Sequence, residues 1–180
     1  SIAGVHFPTM RYPLLLLAAV AWALWFGATV SLFVFGWHYF RPGVMPSHEA
    51  AAGAANAMFL AFTPYEMALA GVGLLSAAVG VAAVPSRWTL GLLAGFVGAT
   101  CMAITFGLGL LPRMEGMRQQ GLTGTDQWRK LHGQSMMTLS IQALILLGTG
   151  ALLVGMAGVT RRRAAGVTES PAGEVPTAFG

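Results

Sequence analysis

From Tyr12 to Phe40 the chain carries no formal charge, and three later segments are nearly as apolar over comparable lengths. A helix rises about 1.5 Å per residue, so about 20 such residues cross a hydrocarbon core about 30 Å thick. The expected spans are residues 14–35, 64–84, 88–111 and 133–159. Tyr12, Trp37 and Tyr39 flank the first as interfacial aromatics, and Arg161, Arg162 and Arg163 close the fourth. The pattern predicts an all-α integral membrane protein, four transmembrane helices in an antiparallel bundle. Residues 1–13 form an N-terminal segment, residues 14–160 the membrane domain, and residues 161–180 a basic stop and polar tail.

Composition agrees with the spans. Of 180 residues 56% are hydrophobic and 9% charged, with a mean hydropathy of +0.68. So few charges cannot solubilise that much apolar surface, which excludes soluble enzyme folds and free-standing nucleic-acid binders. The net charge of +4 fits basic residues at headgroup level, Arg113, Arg129 and Lys130 among them, and the expected contacts are lipid and other membrane subunits rather than nucleic acid. The first apolar run is much longer than the ~7–15 residues of a signal h-region and lacks a convincing cleavage site, so it reads as a span. Basic residues divide evenly between the two faces. The three arginines crowding the last span favour cytoplasmic termini, with a bacterial inner membrane as the expected location.

The second span carries a helix-start signal. Thr63-Pro64-Tyr65-Glu66 offers a capping hydroxyl, a proline at the first helical position and a carboxylate three residues after the cap. Ser47-His48-Glu49 opens an alanine-rich stretch to Phe62 that reads as a separate short helix or the bent first half of a long one, with a break or kink near Pro64. The third span is expected to stop at Pro112-Arg113. Residues 113–131 are the main polar loop, two short helical extensions joined at Gly121-Leu122-Thr123-Gly124. The tail from Ala164 should be disordered alone in water.

Glu66 is the one carboxylate within an apolar span. An intramembrane carboxylate suggests proton or cation handling, whereas the third helical position suggests a cap at the interface; the capping reading is the one expected. Tyr65, His132 and Ser135 would complete a polar site around it. His38 and His132 lie at span ends on one membrane face and are the candidates for ligating haem or a chlorin, with hydrogen bonding to loop backbone the expected reading. Ten methionines invite a Cu(I) reading, yet they are unclustered and serve equally as flexible packing residues. No cofactor or metal is therefore expected. Gly91 and Gly95, and Ala94 and Gly98, repeat at four-residue spacing, a pattern that lets helices approach closely within the bundle or against another subunit.

Several of these motifs carry a family likeness: Trp25 and Gly27, Phe62-Thr63-Pro64-Tyr65, Pro112-Arg113 and, most specifically, Arg129-Lys130-Leu131-His132-Gly133-Gln134-Ser135. With them the chain resembles the transmembrane protein 205-like family, small four-span membrane proteins whose defining domain has no assigned biochemical function. The likeness covers most of residues 14–158 and implies a four-helix fold, but neither substrate nor catalytic residues. Where that family tends to have asparagines in the third and fourth spans, this chain has Thr105-Phe106 and Leu139-Ser140.

No nucleophile elbow, zinc spacing or paired carboxylates are present, so an enzyme is not expected. The leading expectation is a noncatalytic accessory subunit of a multi-subunit membrane complex, such as one of photosynthetic or respiratory electron transfer. The alternative is a small four-span transporter or efflux protein for a metal or small solute, acting as an oligomer, with Glu66 and Gln142 among its polar groups.

Overall fold

The computed structural model describes the backbone of residues 11–168 and the side chains of residues 13–158. The described chain forms α1 (Arg11–Tyr39), α2 (His48–Ala83), α3 (Arg87–Ile104), a π-helical segment (Thr105–Leu110), α4 (Leu111–Gln119) and α5 (Asp126–Thr168). The π segment joins α3 and α4 into one rod. Four rods are thus long and apolar enough to cross a membrane: Pro13–Tyr39, His48–Ala83, Arg87–Gln119 and Asp126–Gly158. Short connections make successive rods antiparallel, and α1 packs on α2, α2 on α3, α3 on α5 and α5 back on α1. The protein is an all-α, four-helix membrane bundle.

Local chemistry sets the helix ends. Ser47 Oγ accepts from Ala50 N–H at 3.1 Å and starts α2. Ser86 and Thr89 form a reciprocal capping box at the start of α3. After α4, Gly121 takes φ +71°, and Leu122 N–H returns to Met117 O at 2.9 Å, closing the helix in the left-handed manner that glycine permits.

Three boundaries differ from the sequence expectation. The second helix starts at His48, and the box expected at Thr63 does not form; Thr63 Oγ1 instead donates to Phe59 O at 3.0 Å. Of the two outcomes expected at Pro64, the helix does not break: it runs on to Ala83 and simply lacks the N–H that would have met Leu60 O. The third helix does not stop at Pro112. The wider π turn accommodates the missing donor, with Leu111 N–H reaching Phe106 O, and the rod continues to Gln119. The fourth helix starts at Asp126, ahead of Gly133, so the two helical extensions expected within residues 113–131 are continuous with the spans they flank. The two irregular places touch, since a Cβ on Gly107 in the π segment would sit 2.9 Å from Thr63 Cγ2.

Burial is inverted relative to a soluble protein. Leu144 (68%) and Val154 (71%) are among many large apolar side chains left on the outside, where lipid solvates them. Glu66, Gln142, Thr29 and Thr149 are buried, and the two threonines hand their hydroxyls to carbonyls of their own helices.

Gly91, Gly95 and Gly98 all face α5. A Cβ at Gly95 would collide with Thr149, one at Gly91 would lie 3.3 Å from Leu152, and one at Gly98 would make ordinary contact with Ile145 at 3.5 Å. These three glycines are taken up inside the bundle, whereas Ala94 of the same stretch is exposed. Arg161, Arg162 and Arg163 lie on the last turns of α5, where side chains are outside the described residues, as is the tail from residue 169.

Candidate functional site

Three helices bring one polar side chain each to the centre of the bundle. Trp25, Glu66 and Gln142 lie well inside their helices, away from either end, and each is wholly buried. Their hydrogen bonds place them in one layer in the interior of the bundle. Trp25 Nε1 donates to Glu66 Oε1 at 2.9 Å, and Gln142 Nε2 donates to the same oxygen. Glu66 and Gln142 meet across one diagonal of the bundle, while Trp25 stacks on Phe96 of α3 across the other, ring centroids 6.5 Å apart.

Two acceptor oxygens in this layer remain unused. Glu66 Oε2 and Gln142 Oε1 are buried with no hydrogen-bond partner among the described residues. Buried polar atoms are normally satisfied, because leaving one bare costs about 1–3 kcal/mol, and more for a charge. A charged carboxylate inside a membrane span is costly as well. A species that bridges the two oxygens would relieve both costs. A hard cation wants about six oxygen ligands, and Glu66 is the one carboxylate in this layer; among the described residues no three His, Cys, Asp or Glu side chains cluster. A proton on Glu66 Oε2 would neutralise the carboxylate without further ligands.

Cavities enter the bundle from both ends. One of about 220 Å³ lies at the α2–α3 connection, lined by Ala18, Ser76, Thr89, Leu92 and Met156, and Ser76 Oγ is buried there without a partner among the described residues. The other, about 530 Å³, lies at the opposite end between the α1–α2 and α4–α5 connections. Phe106 and Leu139, with Phe33 and Phe59 against them, form its inner wall. Phe59 precedes Glu66 by seven residues, about 10 Å of helix. The Trp25–Phe96–Glu66–Gln142 layer thus separates the two cavities.

The polar site expected around Glu66 does not assemble from Tyr65, His132 and Ser135; Trp25 and Gln142 are its partners instead. Glu66 is not a cap at the interface but sits in the interior of the span, because α2 began eighteen residues earlier. Tyr65, the next residue round the helix, is exposed to the lipid side. His132 and Ser135 line the larger cavity, away from Glu66, and Ser135 Oγ donates to His132 O at 2.7 Å. His38 is exposed and does not line that cavity, so the two histidines are not brought together. Arg113 and Lys130 are exposed at this end, and Arg129 pairs with Asp126. Glu115 joins α4 to α2, accepting from Arg118 Nε and Nη2 at 2.8 Å and from Asn56 Nδ2 at 2.9 Å. The sequence reading gave Gln142 little weight and Trp25 none as a functional residue. The available signal was that each is a hydrogen-bonding side chain at the middle of a span rather than near its end.

Fold and site define a four-span membrane protein with a carboxylate buried inside its helix bundle. Comparison with protein-family models, with curated proteins and with solved structures gives no match.

Proposed function

We propose that this chain is a small proton-coupled membrane transporter whose protonatable group is Glu66. One observation carries the reading: a wholly buried carboxylate in the interior of a span, fixed through Oε1 by two donors, whose Oε2 is left without a partner among the described residues. Cavities on either side of that layer support it, since a transporter needs access to a central group from both faces. At this size the working unit is an oligomer in lipid, placed in a bacterial inner membrane with its termini in the cytoplasm. The four-span family likeness belongs to the same proposal and adds no substrate.

The test is infrared difference spectroscopy and flux on the protein in proteoliposomes. The wild type should show a carboxylic-acid C=O band that responds to pH and is lost in Glu66→Gln, together with potential-driven proton uptake that the same substitution abolishes. Absence of both the band and the uptake in the wild type would sink the reading. An accessory subunit of an electron-transfer complex is the competing role. It predicts that Glu66→Gln is silent and that the chain co-migrates with a large complex after mild solubilisation.

A further inference from the structure

The 530 Å³ cavity lies about two turns from the Glu66 layer, and what it binds does not depend on whether Glu66 carries a proton. Its volume falls within the ~300–1,000 Å³ of small-molecule sites, and its lining is the usual mixture of an apolar body and a few polar groups. Leu32, Phe33, Phe59, Phe106 and Leu139 form the inner part. Trp37, Phe40 and Trp128 stand nearer the connections, at the depth where aromatic side chains meet headgroups.

The polar groups gather at that outer end. Glu115 occupies Nε and Nη2 of Arg118, leaving Nη1 for another acceptor. The His132 imidazole makes no hydrogen bond among the described residues. Charge agrees, because this end of the bundle carries Arg41, Arg113, Arg118, Arg129 and Lys130 against Glu49, Glu115 and Asp126. We infer that this cavity is a binding site for a single-chain amphiphile with an anionic head, such as a long-chain carboxylate. Its tail lies among the inner phenylalanines and leucines, and its head lies at the rim between Arg118 and His132. The size suits one chain rather than a two-tailed phospholipid, and the basic excess selects the acid over its neutral ester.

Two tryptophans line the cavity and can report on it, while Trp88 lines the cavity at the opposite end. The experiment places the full chain in phosphatidylcholine nanodiscs and titrates in dibromostearate, whose bromines quench tryptophan on contact. Gly36 provides a block: it lines the cavity, and an added Cβ meets nothing within 4 Å, so Gly36→Phe should fill the space without disturbing the helix. We expect saturable quenching in the wild type, lost in Gly36→Phe and sharply reduced in the Trp37→Phe, Trp128→Phe pair. The methyl ester should bind about tenfold more weakly, the loss of one charge-assisted contact. Quenching that rises linearly with bromolipid and is equal in Gly36→Phe would mean that the amphiphile only dissolves in the surrounding lipid, overturning the site. Equal affinity for acid and ester would overturn the anionic head. If Gly36→Phe fails to accumulate, Ala52→Leu, also on the cavity wall, gives the same reading.

Discussion

At the residue scale, Glu66 is defined by what it accepts. Its Oε1 is the shared acceptor for the buried donors of Trp25 and Gln142, so the side chain holds three helices at one depth. Glu66→Gln keeps the volume and the acceptor oxygen, and its unfolding in detergent should stay close to wild type. Glu66→Ala removes the acceptor from both donors and opens a void, and should cost about 2–5 kcal/mol in the same measurement. Equal stability of the two variants would show that the carboxyl group does not clasp the bundle. The sequence marked Glu66 as the sole carboxylate inside a span but put it at a helix start. The local Thr-Pro-x-Glu pattern was a valid capping signal, overridden because Ser47 had already started the helix and the continuing α2 carried position 66 into the interior of the span.

At the scale of elements, contact between α3 and α5 is set by which glycine meets which side chain. A methyl group at Gly95 runs into Thr149, whereas at Gly98 it reaches only van der Waals distance from Ile145. Gly95→Ala should therefore destabilise the bundle by about 1–3 kcal/mol, and Thr149→Ala in the same chain should recover a large part of that loss. Gly98→Ala should be neutral or slightly stabilising through helix propensity. Denaturant unfolding of the four variants checks the set, and additive effects of Gly95→Ala and Thr149→Ala would contradict the packing described. The stripe itself was legible from four-residue spacing. Its direction was not, because small residues at i and i+4 look the same whether they face a helix of the same chain or another subunit. The helical extension beyond Pro112 was legible, but its unbroken passage through the proline was not, since proline is a sound stop signal unless a π turn ahead of it takes up the missing donor.

For the whole molecule, four antiparallel rods put the α1–α2 and α4–α5 connections on one face and the α2–α3 connection on the other. With Cys101, which faces outward, replaced by alanine, single cysteines at Pro46 and Gly124 should react with an impermeant reagent from the same side of sealed vesicles. A cysteine at Pro85 should react from the opposite side, and labelling of all three from one side would refute the topology. Cytoplasmic termini further predict that Pro85 labels only in inverted vesicles. The sequence by itself determined the solvent, the class of fold and the number of crossings, because hydrophobic length against bilayer thickness is a one-dimensional quantity that can be read along the chain. Only the tertiary structure decided that residues 25, 66 and 142, far apart in sequence, meet in one buried layer, and that a cavity opens on each side of it. Depth and facing depend on where each helix starts and how it rotates against its neighbours, and these are settled by packing among all four rods rather than by any local run of residues.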